Sequence, residues 1–387
     1  MKNILFIHQS AELYGSDKTL LLLLKNLDKT KFKPIVILPF KGPLTEALEN
    51  EKIEVVIAPV LKLYRKLFSP KNILDFFREI KQAFKIVNDL HNKHNFSLIY
   101  SNTLAVLLGI MFARKNKIKH LWHVHEIIEK PTIFKKGFTR LLALKCNSFI
   151  VYNSEATQHF WQTNQSISKK GTVIWNGIET NLPETNTSEI ATIRTNKLLS
   201  QPNEIVIALV GRISRWKGQM ILLEAFNKLA QNNENIKLVF VGAPPPNQEN
   251  FQEDLVKKIS FFQLEKKVTI IPFQNDIHKI WQAIDIAVVP STEPEPFGMV
   301  AIEAMLASKP IVASNHGGLK EIIINNETGF LVAPNSVYDL VMALEKLIQS
   351  ELLRIQMGEK GYLRVIKEFS LTNYVDSFEK FFEKDCS

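Results

Sequence analysis

Apolar positions along this chain fall into two alternating rhythms. Short β-branched runs read as buried strands, and longer stretches with apolar residues three and four apart read as helices. In the first half, strands are predicted at 3–8, 33–38, 53–58, 98–100, 120–124 and 148–152. Helices are predicted between them at 16–27, 43–50, 70–93, 102–114 and 135–145. Ser69 and Pro70 form a helix start, a capping hydroxyl followed by proline in the first turn. Ile73, Phe76, Phe77, Ile80, Phe84, Val87 and Leu90 then follow at the spacing of one buried face. Residues 179–203 are polar and lack either rhythm, and the linker between two domains is expected there.

The alternation resumes at 204–211, with a helix over 217–230 and strands at 236–241, 268–271, 286–290, 310–313 and 329–332. A last helix is predicted near 371–384. Strand–helix alternation in both halves implies an α/β protein of two Rossmann-like, doubly wound parallel sheets, whose ligands sit at the carboxyl ends of the strands. The expected division is an N-terminal domain over 1–183 and a C-terminal domain over 184–370.

Candidate chemistry falls at predicted strand ends. Glu295-Pro-Phe-Gly-Met-Val-Ala-Ile-Glu303 places two carboxylates across a strand-to-helix turn. Glu295 lies in the loop and Glu303 is expected about two turns into the helix. Gly298 lets the backbone approach a ligand, and the amides of a new helix attract anions. Arg212 follows a strand and Gly211, while Lys217 is expected to open the next helix. Arg can grip two phosphate oxygens and Lys adds a point charge; Arg215 is expected to be exposed. His125 ends a predicted strand. His123 shares its face one step back and reads as structural, whereas His120 has the opposite parity. That face holds no third ligand, so no metal site is predicted. Gly15-Ser16-Asp17 follows the first strand and precedes a helix, where amides could again meet an anion.

These segments, in order, resemble the family 4 glycosyltransferases, which have the two-domain GT-B fold. Glu295 to Glu303 resembles the family's Glu-x7-Glu signature, and Val210-Gly-Arg-Ile-Ser-Arg-Trp-Lys-Gly218 its Gly-Arg…Lys-Gly segment. Val173-Ile-Trp-Asn-Gly-Ile-Glu179 is similar to its Asn-Gly-Ile-Asp run, His123-Val-His-Glu126 to its active-site histidine segment, and Met1 to Leu24 to its first strand and glycine turn. The resemblance implies a retaining, metal-independent glycosyltransferase taking a UDP or GDP sugar, with both domains facing an interdomain cleft. It implies that Arg212 and Lys217, with the amides of Gly15 and Ser16, hold the donor diphosphate. Gly298, Met299 and Val300 would meet the donor sugar or diphosphate through their amides. Glu303 would bind the ribose, Glu295 the donor sugar, and His125 would face that sugar. It also implies that the helix at 371–384, within 371–387, completes the N-terminal domain. The sequence departs from the family at the second glycine after the first strand, at Gly242-Ala-Pro-Pro-Pro246 and at Pro272-Phe273. Two further readings share the pattern: a nucleotide-sugar epimerase of the same fold, and a non-catalytic nucleotide-sugar-binding subunit. No Gly-x-Gly-x-x-Gly follows a predicted strand, which argues against a dehydrogenase.

Composition narrows the setting. The 387 residues are 45% hydrophobic and 22% charged, as in ordinary globular proteins. Cys146 and Cys386 make no disulfide framework, so a reducing, cytoplasmic compartment is expected. Neither a signal peptide nor a membrane span is predicted. Charge is uneven: residues 1–183 carry 27 Lys and Arg against 14 Asp and Glu, and the remainder carries 21 against 25. No nucleic-acid motif accompanies the basic half. The expectation is a peripheral contact with the inner, anionic face of the cell membrane, through residues 134–145 together with Lys62, Arg65, Lys66, Arg114, Lys115, Lys117 and Lys119. The expected acceptor is a saccharide or lipid-linked saccharide of cell-envelope polysaccharide or lipopolysaccharide synthesis.

Overall fold

The computed structural model describes residues 1–13, 15–62, 70–274 and 276–385. Arg65, Lys66, Ser69 and Cys386, and the side chain of Ile73, lie outside the described residues. The chain divides into two compact units, Met1–Gly177 with Leu371–Ser387, and Ile178–Ser370.

The first unit is built on strands β1 (Lys2–His8), β2 (Phe32–Leu38), β3 (Glu54–Ile57), β4 (Leu98–Asn102), β5 (Lys119–Val124), β6 (Phe149–Tyr152) and β7 (Gly171–Val173). They form one parallel sheet in the order β3-β2-β1-β4-β5-β6-β7. Strand order reverses between β1 and β4, where the crossover helices leave opposite faces and the strand ends open a crevice. One face of the sheet, with Phe6, Val36 and Tyr100, packs against the helix Gly15–Asn26 and the helix Leu371–Asp385, which buries Tyr374, Val375, Phe378 and Phe382. The other face packs Leu5, Ile7, Ile35 and Ile99 against Ala83, Val87 and Phe112 from the helices Pro70–His94 and Leu108–Asn116. Alternation in β1 thus feeds two cores, as a doubly wound sheet requires.

The second unit carries β8 (Ile205–Val210), β9 (Ile236–Val241), β10 (Val268–Ile271), β11 (Ile286–Val289), β12 (Ile311–Ser314) and β13 (Gly329–Val332). All are parallel, in the order β10-β9-β8-β11-β12-β13, so order reverses between β8 and β11.

Four local expectations are corrected. The stretch 179–203 is not featureless, because it contains the helix Thr187–Asn196, capped by the Asn186 side chain accepting from the Glu189 amide at 2.8 Å. Only Ile193 of that helix is buried, so no apolar stripe marks it in the sequence. The helix expected at 102–114 begins only at Leu108. Before it, Thr103 adopts φ +81° and its amide donates to the His123 carbonyl at 2.9 Å, so residues after β4 turn away instead of coiling. Strand β4 accordingly runs on to Asn102, and β7 was too short to show a rhythm. Finally, the helix after β8 starts at Gln219 with Gly218 as its cap, which leaves Lys217 in the preceding loop.

Candidate active site

Register places polar residues together at the switch point of the first sheet. His8 at the end of β1 pairs with Asn102 of β4, and Asn102 pairs with His123 of β5. His125 lies just past the end of β5 instead of within it. The buried His8 meets Asp17 of the first helical turn, Nε2 to Oδ1, at 2.5 Å, and Ser10 Oγ reaches Asp17 Oδ2 at 3.3 Å. An acid in that first turn also suits the helix dipole. Asn102 Nδ2 lies 2.9 Å from His8 Nδ1 and donates to the Ser16 carbonyl at 3.4 Å, while its Oδ1 lies 2.9 Å from His125 Nε2. Burial holds His125 far below the usual imidazole range, to about 3, with nearby His8 adding to the effect and Asp17 opposing it.

His123 and His125 have their rings 3.9 Å apart, much closer than their one-step separation along an extended strand suggests. His123 is engaged by Tyr100, whose hydroxyl is 2.5 Å from Nδ1, and lies edge-on to Phe378 at 5.3 Å. His120 points to the other face, between Ser101 Oγ at 2.9 Å and Asn147 Oδ1 at 2.8 Å. Glu126 turns from the strand end to accept the backbone amides of Leu104 at 3.2 Å and His125 at 3.0 Å. Burial pushes its carboxyl up to about 7 against those same hydrogen bonds. Gly15 starts the helix Gly15–Asn26, and an added Cβ there would meet nothing within 4 Å. Ser16 contributes its carbonyl to Asn102.

In the second unit the site is made by loops after β8, β11 and β12. The loop after β8 is pinned by Gly211 N to Val241 O at 2.9 Å and Ile213 N to Ala243 O at 3.1 Å. Gly218 takes φ +81°, and a side chain there would collide with the Pro290 carbonyl that follows β11. The two loops therefore touch backbone to backbone, and the Thr292 amide donates to the Trp216 carbonyl at 2.8 Å. This closeness carries Lys217 Nζ to 2.6 Å from Glu295 Oε1. Ser291 Oγ donates to the same oxygen at 2.6 Å. Burial pushes the Glu295 carboxyl up, but Lys217, the two hydrogen bonds and nearby His316 outweigh it and hold it below the usual carboxylate range.

Support comes from the loop after β12. The Gly318 amide donates to the Glu295 carbonyl at 2.8 Å, and Gly317, at φ +58°, sits where a side chain would strike the Glu295 backbone. His316 Nε2 donates to the Ser291 carbonyl at 2.9 Å. Gly298, at φ +124°, caps the helix Met299–Leu306, so the amides of Met299 and Val300 occupy its first turn. Glu303 is the fifth residue of that helix, just over one turn in and not two. Arg212 is exposed on the β8 loop, with its carbonyl accepting from Gln219 Nε2 at 2.8 Å. Arg215 is exposed and pairs with Glu293 at 2.9 Å.

The second unit thus brings together Lys217 and Glu295, with Gly298, Met299 and Val300 a few residues on. The first unit gathers Ser16 and His125. Sequence reasoning missed Asn102 and the supporting parts played by His8, Asp17, Ser291 and His316. Their shared signal is position, since each lies at or just beyond a strand's carboxyl end or, for Asp17, in the first turn of the helix that follows. Among the described residues, no group of three or more His, Cys, Asp or Glu is arranged to hold a metal ion.

Comparison with known proteins agrees with this architecture. Residues 14–182 match the family described as Glycosyltransferase Family 4, and residues 192–364 the one described as Glycosyl transferases group 1. Crystal structures of Anabaena HepE, solved with UDP, with UDP and glucose, and with UDP-glucose, superpose with a TM-score of 0.84. In the UDP and glucose complex the identity is 27%, over 99% of this chain and 100% of that one. The lipopolysaccharide 1,2-N-acetylglucosaminetransferase of Salmonella typhimurium is 24% identical over 86% of this chain and 84% of its own. The capsular polysaccharide biosynthesis glycosyltransferase CapM of Staphylococcus aureus is 26% identical over 78% of this chain and 80% of its own. Two doubly wound sheets, strand-end loops that seat Lys217 on Glu295, and matches that run through both units together place this chain in the group 1, family 4 glycosyltransferases of GT-B fold.

Proposed function

We propose that this glycosyltransferase moves a sugar from a uridine diphosphate sugar to a saccharide or lipid-linked acceptor, with retention at the anomeric carbon, in cell-envelope polysaccharide synthesis. The observation that carries the reading is the Lys217–Glu295 pair at the β8/β11 switch point, four residues before a glycine-capped helix start. A leaving diphosphate develops charge, and fixed cations and helix amides aimed at it are the strongest catalytic lever. Arg212 and Lys217, with the amides of Met299 and Val300, supply that charge without a metal. Glu295 orients the donor sugar and Glu303 takes the ribose hydroxyls. On the first unit, Gly15 and Ser16 stand at a helix start whose amides suit an anion, and His125 suits a sugar hydroxyl. The choice of uridine is supported by the HepE complexes, and the setting by the two envelope-polysaccharide relatives.

Thermal shift tests the reading. UDP in hundredfold excess over its dissociation constant contributes about 2.7 kcal/mol to the native state. A rise in melting temperature of several degrees is expected with UDP and a weaker one with GDP. The rise should be largely lost in Arg212→Ala and Lys217→Ala. No rise with UDP at millimolar concentration would refute the donor assignment.

The acceptor side is proposed to dock on anionic membrane through the helix Thr132–Ala143. Ile133, Lys136 and Arg140 are exposed there, whereas Lys135 is engaged over the Phe160 ring at 4.0 Å. No described helix is long and apolar enough to cross a membrane. Each base near an anionic surface contributes about 1 kcal/mol. Flotation with anionic liposomes should therefore fall sharply when Lys136 and Arg140 are both changed to Glu, and change little in Lys135→Gln. Equal recovery on neutral and anionic vesicles would remove the membrane from the reading.

A further inference from the structure

We propose that Asn102, held by His8 and Asp17, is a positioning residue that fixes His125 as the Nε2–H tautomer and leaves Nδ1 as its acceptor nitrogen. This rests on the reading that His125 meets a sugar hydroxyl. The amide of Asn102 is oriented by its neighbours. Its Nδ2 reaches the Ser16 carbonyl, which can only accept, so the nitrogen end faces Ser16 and His8. The oxygen end then faces His125, and because Oδ1 can only accept, the proton at that contact belongs to His125 Nε2. A neutral imidazole protonated at Nε2 carries its lone pair at Nδ1. The same logic runs outward: His8 Nδ1 accepts from Asn102, so His8 Nε2 carries the proton it donates to Asp17. Every donor in the chain His125–Asn102–His8–Asp17 has one acceptor, and the direction is set by a buried carboxylate at one end.

Backbone geometry fixes Asn102 as well. The next residue, Thr103, has a φ of +81°, a genuine outlier for a β-branched side chain. It is locked by its amide to the His123 carbonyl and by the Trp122 indole donating to its own carbonyl at 2.7 Å. Such strain persists where the surroundings over-determine a position. His125 Nδ1 thus presents an acceptor to a sugar hydroxyl, while Nε2 has no freedom to trade roles.

Histidine-selective ¹⁵N NMR on the full chain decides this, with His125 assigned by its loss in His125→Gln. The groups around the ring are His8 and Asp17 beyond Asn102, His123 with its ring 3.9 Å away, and the Glu126 carboxylate on its backbone amide. Wild-type His125 is expected as a single Nε2–H tautomer. Asn102→Leu, close in shape but without the amide, should give a mixture with the Nδ1–H form. Asn102→Asp restores an acceptor and should recover the Nε2–H tautomer. It should also raise the pH at which His125 takes its second proton, because a carboxylate now faces it. An Nδ1–H wild type, or a tautomer unchanged in Asn102→Leu, overturns the proposal. If Asn102→Leu does not fold, the wild-type spectrum and the Asn102→Asp titration still decide. The readout needs neither donor nor acceptor, so failure of UDP to stabilise the protein would sink the donor reading and leave this result standing.

Discussion

Replacing Lys217 by Ala is expected to lower transfer by about 100- to 1,000-fold, the equivalent of about 2–4 kcal/mol of transition-state stabilisation. Two losses combine. The cation 2.6 Å from Glu295 disappears from the place proposed for the donor diphosphate, and Glu295 is left largely buried, with Ser291 donating to its carboxylate. In the wild type, burial raises the Glu295 carboxyl but Lys217 reverses the shift, so the group stays ionised well into acid. The stability it contributes is present above its unfolded value and lost as pH falls through the lowered folded value. Without Lys217, burial dominates, and the acid limb of the pH–rate profile should move upward. Arg212→Ala should also cost transfer, through the loss of its own positive charge. Steady-state kinetics across pH, with melting temperature to confirm folding, test this. Wild-type turnover in a folded Lys217→Ala protein would remove the pair from the mechanism.

Phe378→Ala is expected to destabilise the first unit by about 3–5 kcal/mol, the range for emptying a buried aromatic position. Phe378 is fully buried on the helix Leu371–Asp385, with ring contacts to His123 at 5.3 Å, Tyr374 at 5.2 Å, Phe382 at 5.7 Å and Tyr100 at 6.1 Å. Tyr100 on β4 and His123 on β5 each stand two residues before Asn102 and His125, so the cavity opens directly behind the histidine cluster. The exposed neighbour Lys380→Ala should stay within about 0.5 kcal/mol. Two units need not melt together, so urea unfolding should be followed with probes in each, and the loss should fall on the transition of the first. A cost below about 1 kcal/mol would mean that the C-terminal helix contributes little to that core.

The alternation of strand and helix was legible because each element buries a periodic apolar face. Short apolar runs such as Ile4–Ile7 and Ile286–Val289 admit few other readings, and a regular β/α order leaves the parallel doubly wound sheet as the answer. Glu295, Lys217 and His125 were legible because glycines and strand ends flank them. Elements with little to bury were illegible. The helix Thr187–Asn196 buries one side chain and β7 spans three residues, so neither shows a rhythm.

The sequence by itself therefore determined the two-sheet architecture, since that follows from local patterns of burial and turn formation. Only the tertiary structure decided which polar groups meet. His8, Asp17, Asn102 and His125 stand far apart along the chain, and they converge because parallel pairing aligns the ends of β1, β4 and β5 at one switch point. Lys217 meets Glu295 because Gly218 lets one loop touch the backbone of another across the β8/β11 boundary. Hydrogen-bond partners, and with them tautomers and ionisation, depend on distances of a few ångströms between segments that no periodicity links. They became readable only once the strand order and register were in place.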